Sequence, residues 1–307
     1  MTRRSLGVWR RKSESGGGDC IRKQLRSARG SGNAAAMKAT LASIHIYPLK
    51  SAAPLTLEHA LVEGRGLERD RRWMIIDERG AFVTGRQQPR LTLIVTHALG
   101  TGLTLVAPGL PPLQVDAPPP SAARVQTAVW GAAVTPLLAS DAAHAWISAF
   151  LGGPHRLVHM DAACVRPMKA KYDGIYGEDS DEVSFADGFP VLLISQAALD
   201  FLNARLTSPV PMLRFRPNLV VAGTAAHAED GWKRIRVGAV EFDVLKPCTR
   251  CVFTTVDFER GIFDPTGEPL RTLISYRRSA DGVSFGQNLI PRGRGTIRAG
   301  DAVEVLA

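Results

Sequence analysis

The run Lys246-Pro247-Cys248-Thr249-Arg250-Cys251-Val252-Phe253-Thr254-Thr255-Val256-Asp257 sets two thiols around a permanent guanidinium charge and then enters β-branched residues. A Cys-x-x-Cys pair used in thiol–disulfide exchange opens a helix, whose N-terminus lowers the thiol pKa. Val252, Thr254, Thr255 and Val256 favour a strand instead, so extended backbone is expected after Cys251. On such backbone, residues three apart face opposite ways. Cys248 and Cys251 are therefore expected in different surroundings, one buried as a small hydrophobe, the other facing a cavity near Arg250. Taken alone, the run reads equally well as a plain strand with two reduced cysteines.

The surrounding composition is that of a globular protein. The 307-residue chain is 45% hydrophobic and 22% charged, enough for two modest domains or one large one. No apolar run approaches the ~20 residues that span a bilayer, so no membrane span is expected. Cys20, Cys164, Cys248 and Cys251 are too irregularly spaced for a disulfide framework, which points to a reducing cytoplasm. The net charge of +9 is concentrated in residues 1–36, where nine basic and two acidic side chains give +7 and leave +2 for the rest. A near-neutral body carries no basic field, and no stable nucleic-acid binding is expected.

Residues 1–37 read as a basic, unstructured tail with Gly16-Gly17-Gly18 and Gly30-Ser31-Gly32 and no periodicity. Arg3-Arg4 faintly resembles a twin-arginine signal, but Arg10, Arg11 and Lys12 interrupt the apolar stretch that export requires. An organellar transit peptide and a translation start at Met37 are the other readings of this tail. From Leu41 short β-rich runs dominate. Residues 72–84 spell a hairpin around Gly80, and residues 91–99, 103–106 and 125–138 continue as strands. The proline-rich residues 108–120 are expected as a loop. Helices are expected over Asp141–Leu151, capped by Ser140 or Asp141 and stopped by Gly152-Gly153, after the cap Ser195, and over Leu270–Arg277. Residues 161–187 have the style of a long functional loop. Residues 191–194, 215–221, 235–244 and 252–256 read as strands, and residues 295–306 as a closing strand pair. The fold class expected is α+β, mostly β, in barrel or sandwich style rather than βαβ units.

No Walker loop, Rossmann fingerprint, Gly-x-Ser-x-Gly elbow or His-Glu-x-x-His helix is present. His155 and His159 read as strand-borne surface or core positions. Zinc would need two soft ligands beyond the Cys-x-x-Cys, and Cys164 and His227 lack paired spacing. What remains is a set of polar, basic loops: Lys50-Ser51, Arg69-Asp70-Arg71-Arg72, and Arg214-Phe215-Arg216-Pro217-Asn218. Arginine forks and a lysine point charge suit an anion such as phosphate. With a thiolate they describe a pocket for something phosphorylated that coordinates sulfur.

The Cys-Thr-Arg-Cys-x-x-Thr-Thr-Val-Asp run, Phe215-Arg216-Pro217-Asn218 and Ile46-Tyr47-Pro48-Leu49-Lys50-Ser51 together resemble the MOSC family, in particular its bacterial YcbX-type and mitochondrial amidoxime-reducing branches. Gly267-Glu268-Pro269-Leu270 with Thr272-Leu273, and Phe285-Gly286-Gln287-Asn288-Leu289-Ile290, extend the resemblance over roughly residues 40–307. It implies an N-terminal β-barrel-like domain over 38–155 and a C-terminal MOSC β-barrel domain with peripheral helices over 156–307. It also implies a molybdenum cofactor (Mo-molybdopterin) whose metal is ligated by Cys251, the second cysteine of the family motif. A soft thiolate suits the cofactor's sulfur-rich coordination sphere, and Cys248 would then have a structural or supporting part. By the same resemblance Lys50, Ser51, Arg71, Arg216 and Asn218 hold the pterin's phosphate and ring system. Asp187, Gly188 and Phe189 form a pterin-contacting turn, and Thr249 and Arg250 flank the metal.

The activity so implied is reduction of N-hydroxylated compounds (amidoximes, hydroxylamines, N-hydroxylated bases), a detoxifying cytoplasmic oxidoreductase. The ferredoxin-like domain and Fe–S cysteine spacing of many YcbX-type proteins are missing before Ala307. Electrons are therefore expected from a separate donor, a ferredoxin-like protein or flavin reductase. The alternative is a non-catalytic cofactor carrier or sulfur-transfer binding protein; a zinc or dithiol protein is the third reading.

Overall fold

The strand Thr40–Ile46 turns Leu41, Ile44 and Ile46 into the core and bulges between Leu41 and Ser43. In the computed structural model, which describes residues 38–168, 177–178 and 180–307, this strand begins and ends the main sheet. It pairs with Leu219–Ala222, and the sheet continues through Val191–Ser195, Gly282–Pro291, Val240–Thr249, Arg234–Val237 and Val303–Val305. At the far edge Thr40 bridges Ala302, while Leu41 N donates to Asp301 O and Val303 N to Ala39 O, both at 2.8 Å. The sheet thus closes into a barrel, with its backbone groups paired around the ring. Leu55–Leu57 adds to the first strand, and His59–Glu63, Gly66–Leu67 and Gly295–Arg298 form a small sheet. That small sheet sends Val62, Leu67 and Ile297 into the barrel core beside Leu193, Val221 and Phe242.

The chain leaves this core at Tyr47-Pro48. Ile46 packs in the barrel, whereas Leu49 belongs to a second core with Trp73, Ile75, Leu91, Leu105 and Leu157. The second core is also built from short strands: Trp73–Asp77 pairs with His155–His159, and Val95–Leu99, Gly102–Ala107 and Leu110–Val115 form a meander. Helix α1, Asp141–Leu151, covers it with Trp146, Ile147 and Phe150. Ser140 Oγ accepts from Ala143 N at its start, and Gly152 ends it in the left-handed region at φ 78°. Two further helices, α2 (Gln196–Asn203, capped by Ser195) and α3 (Leu270–Arg277), pack on the barrel's outside around Phe215, Leu273 and Phe285. The fold is α+β and mostly β, with a barrel-like N-terminal part and peripheral helices, as expected.

Local physics overrides the sequence pattern in five places. Residues 108–120 contain a strand, Leu110–Val115, because Pro111 and Pro112 lie on an edge where a missing N–H is harmless. Pro89 opens a 3-10 turn, Pro89–Leu93, so only the later part of residues 91–99 is extended. Met212–Phe215 is another such turn, followed by Arg216 at φ 57°, and its strand starts only at Leu219. Val252–Thr255 is also a 3-10 turn, because the Thr254 and Thr255 hydroxyls donate back to the Cys251 and Val252 carbonyls at 2.9 and 2.8 Å. Finally, Gly295–Arg298 and Val303–Val305 do not pair with each other but join different sheets. The expectations for residues 1–37, and for 169–176 and 179 of the long loop, lie outside the described residues.

Asn218 ties three strands where the barrel meets the seam. Its Oδ1 accepts from Leu192 N at 3.1 Å, its Nδ2 donates to His45 O at 3.0 Å, and its backbone bonds Leu192 and His45 again at 2.8 Å. Asn218→Ala leaves a buried N–H and a buried carbonyl unpaired, at about 1–3 kcal/mol each. Denaturant unfolding of that variant should therefore show a loss of about 2–4 kcal/mol; a loss under about 0.5 kcal/mol would contradict the strand-tying role.

Candidate functional site

Where the chain crosses between the two cores lies a cavity of about 490 Å³. Every residue that the family resemblance assigned to the cofactor site borders it: Lys50 and Ser51, Arg71, the turn Asp187-Gly188-Phe189, Arg216 and Asn218, and Thr249, Arg250 and Cys251, whereas Arg69, Asp70 and Arg72 of the basic loop do not. Cys248 borders it too, so the two thiols are not divided between separate environments, although Cys248 also packs against the α2–α3 cluster. The strand pairing shifts register between Pro247 and Thr249, so the alternation of faces is broken at Cys248.

The lining is strongly cationic. Lys50, Arg71, Arg86, Arg214, Arg216, Lys246 and Arg250 face it, against one carboxylate, Asp187. Lys50 is 5% exposed, and its Nζ donates to Phe185 O at 2.6 Å and to Asp187 Oδ1 at 2.7 Å. Burial lowers its pKa from 10.5 to about 8, and Asp187 limits the fall. Burial alone would raise the Asp187 pKa. Lys50, Arg86 and the hydrogen bonds from Lys50 and Trp130 outweigh it and hold the carboxyl below its usual range. Asp187 keeps 60% of its side-chain area accessible, and the cavity is what it faces.

Arg71 and Arg216 share the face-on contact with Tyr47, their guanidinium carbons 4.4 and 3.9 Å from its ring centre. Such contacts contribute about 0.5–2 kcal/mol each. Arg71 is pinned by Asp70 at 2.5 Å and by Asn218 Oδ1 at 3.1 Å; although burial opposes it, Asp70 raises its pKa. Arg216 donates from Nη1 to Ala52 O at 2.7 Å, while its buried Nη2 has no partner, and burial lowers it to about 10. The side chain of Asn218 is spent on strands and on Arg71, so it positions the site more than it offers groups to a ligand.

Around Cys251 the contacts are looser. Arg86 Nη1 lies 3.5 Å from Cys251 Sγ and its Nη2 lies 3.5 Å from Asp187 Oδ2, with the guanidinium 4.4 Å above the Trp130 ring. Arg250 turns instead to Cys248 Sγ at 3.0 Å and to Phe215 O at 2.6 Å. Gly85 lets Arg86 approach: a Cβ there would sit 2.1 Å from the Phe253 ring. Trp130 and Gly131 form a two-residue hairpin loop with φ 54° and 87°, geometry that normally selects Asn-Gly. Among the described residues, six non-glycines have positive φ, and Ser51, Arg71, Trp130 and Arg216 of these line this one cavity. Strain of this kind marks functional sites.

Sequence reasoning missed Arg86, Trp130, Arg166 and Lys246. A tryptophan in a tight hairpin loop was a usable signal for Trp130. Arg166 had none: it is 1% exposed and holds the 184–187 turn through the Ser184, Ala186 and Asp187 carbonyls at 2.5–3.0 Å. Among the described residues, no group of three or more His, Cys, Asp or Glu is arranged to hold a metal ion.

Two family profiles match the chain in tandem, the MOSC N-terminal beta barrel domain over residues 38–154 and the MOSC domain over residues 180–304. Among proteins similar to it are mitochondrial amidoxime-reducing component 1 of Mus musculus, 37% identical, with 87% of this chain and 82% of that protein covered. The Homo sapiens component 1 is 36% identical over 87% of this chain and 83% of its own length. Mitochondrial amidoxime reducing component 2 of Rattus norvegicus is 35% identical over 86% and 82%. The tandem match and these relatives establish that the chain belongs to the MOSC family.

Proposed function

We propose that this protein is a molybdenum-cofactor-dependent oxidoreductase that reduces N-hydroxylated compounds such as amidoximes, with electrons from a separate donor, a ferredoxin-like protein or flavin reductase. The observation that carries the reading is a cavity lined by two free, partly accessible thiols, Cys248 and Cys251, with seven cations and one carboxylate. The names of the relatives, amidoxime-reducing components, supply the reaction class.

The residues present fit such a cofactor. The buried Arg216 Nη2 lacks an acceptor, as does Arg250 Nε, and an anionic group is what those donors call for. In this reading Lys50, Ser51, Arg71 and Arg216 hold the phosphate end, with Asn218 keeping Arg71 in place. Gly188 and Phe189 bound the ring system, Thr249 and Arg250 lie beside the metal position, and Cys251 is the thiolate ligand. When bound, the cofactor supplies two-electron redox chemistry at a thiolate-ligated metal. Asp187, fixed by Lys50 and Trp130 and kept ionised, is placed to accept a hydrogen bond from an N–OH group entering the cavity. Arg86 lies within reach of both groups and links Cys251 to Asp187. The thiols Cys164, Cys248 and Cys251 are all free, which suits the cytoplasm that we propose as its location. Among the described residues no helix is long and apolar enough to cross a membrane.

Reconstituted protein supplied with a reduced viologen should convert benzamidoxime to benzamidine. Cys251→Ser should lower the rate by more than about 100-fold, beyond what loss of a supporting contact costs, while Cys248→Ser should stay within about tenfold. Cofactor binding without turnover would favour the carrier reading, and unchanged activity in Cys251→Ser would remove the assigned ligand.

Because Lys50 loses its charge above its pKa of about 8, anion binding by the cofactor-free protein should weaken as pH rises through that value. Pyrophosphate titrated by calorimetry should bind more tightly at about pH 7 than at about pH 9, and Lys50→Met should flatten the dependence. A profile equally steep in Lys50→Met would assign the effect to another group.

A further inference from the structure

Arg86 is held loosely beside cations that are held tightly. Lys50, Arg71, Arg216 and Arg250 each donate to an oxygen at 2.7 Å or less. The Arg86 guanidinium instead pairs with Asp187 Oδ2 and touches Cys251 Sγ, both at 3.5 Å, the first too long for a good hydrogen bond. About a quarter of its side chain, 26%, is accessible. Its carbon lies 4.4 Å from the centre of the Trp130 ring. A planar, delocalised C–N group is thus stacked on an aromatic face, with one edge toward a carboxylate and another toward a thiol.

The surface under Arg86 is fixed by other contacts. Trp130 sits in the loop of the hairpin Thr127–Val129 and Ala132–Val134, its backbone at φ 54°. Its Nε1 donates to Asp187 Oδ1 at 3.1 Å, and the Phe82 ring meets it edge-on at 5.0 Å. Lys50 Nζ holds the same Oδ1 at 2.7 Å, so Asp187 is oriented by two donors and its Oδ2 is turned to Arg86. The ring is 37% exposed, and it borders the cavity with Asp187, Arg86 and Cys251. If Arg86 withdraws, the ring and Oδ2 stay where they are, a preorganised pair.

We propose that Trp130 is the specificity-determining platform of this cavity, and that Arg86 occupies in the free protein the place of a planar amidoxime-type group, which binds by displacing it. The incoming group stacks on Trp130, turns an N–H or O–H to Asp187 Oδ2 and lies beside Cys251. A hydroxylamine on a tetrahedral carbon has no planar C–N unit to stack and is the poorer ligand. The chemical class of the ligand rests on the oxidoreductase reading; the displacement of Arg86 is tested without turnover.

Benzamidoxime, uncharged at neutral pH, is the probe, titrated by calorimetry onto the full chain without cofactor or reductant. One site with a Kd of about 1 mM or tighter is expected. Trp130→Leu should weaken it by about fivefold or more. Arg86→Ala should tighten it by about threefold or more, because the competing side chain is gone. With an uncharged probe that gain reports vacated space rather than relieved repulsion. N-Benzylhydroxylamine should bind wild type about fivefold more weakly than benzamidoxime, and Trp130→Leu should erase the difference. If Trp130→Leu does not fold, Arg86→Ala decides. Absence of saturable binding, an unchanged Kd in Trp130→Leu, or an unchanged or weaker Kd in Arg86→Ala would each overturn the proposal. Viologen-driven turnover with binding indifferent to both substitutions would remove this inference and leave the oxidoreductase reading standing. Binding with the expected dependence but no turnover would do the reverse.

Discussion

Packing like charges together out of water is the constraint on which the site depends. Lys50, Arg71, Arg166 and Arg216 converge on one seam, each mostly buried, and a buried charge is tolerated only when its hydrogen bonds are made. The chain meets this requirement largely with backbone carbonyls: Phe185 for Lys50, Ala52 for Arg216, and Ser184, Ala186 and Asp187 for Arg166. Two carboxylates, Asp70 and Asp187, do the rest, and Asp70 is itself fixed by the Tyr47 N–H at 2.8 Å. At the same crossing Ser51, which precedes the Ala52 carbonyl, and the two guanidinium-bearing residues Arg71 and Arg216 take left-handed backbone.

Barrel closure makes this arrangement rigid. Thr40–Ile46 is bonded along both sides, so the point where the chain departs at Tyr47 is fixed. Asn218 then connects the same strand to Val191–Ser195 and reaches Arg71. Cys251 enters from the opposite direction, at the end of Val240–Thr249, a long strand paired on both sides within the barrel. Asn218 and the segment carrying the thiol are therefore tied to one closed sheet, with Arg71 held against it through Asn218, a preorganised arrangement.

Much of this was legible in the sequence. Helix bounds followed from the Ser140 and Ser195 caps and from Gly152, because capping is local chemistry. The basic clusters at Lys50, Arg71 and Arg216 were visible as residue types, and family resemblance joined them to Cys251. What stayed hidden depends on contacts between distant segments. The edge position that admits Pro111 and Pro112, the partners of the last two strands, and the pairing of Thr40 with Ala302 cannot be read from a local window. The turn after Cys251 was misread because threonine has two uses: β-branching favours a strand, but its hydroxyl also bonds a carbonyl three residues back. Arg166 and Arg86 act through residues far along the chain, and neither has a local pattern.

The most direct measurement is molybdenum and zinc content after cofactor reconstitution, in wild type and in Cys251→Ser. Near-stoichiometric molybdenum in wild type, lost or loosened in the variant, is the result this account predicts. No molybdenum in either protein, or zinc in its place, would contradict it.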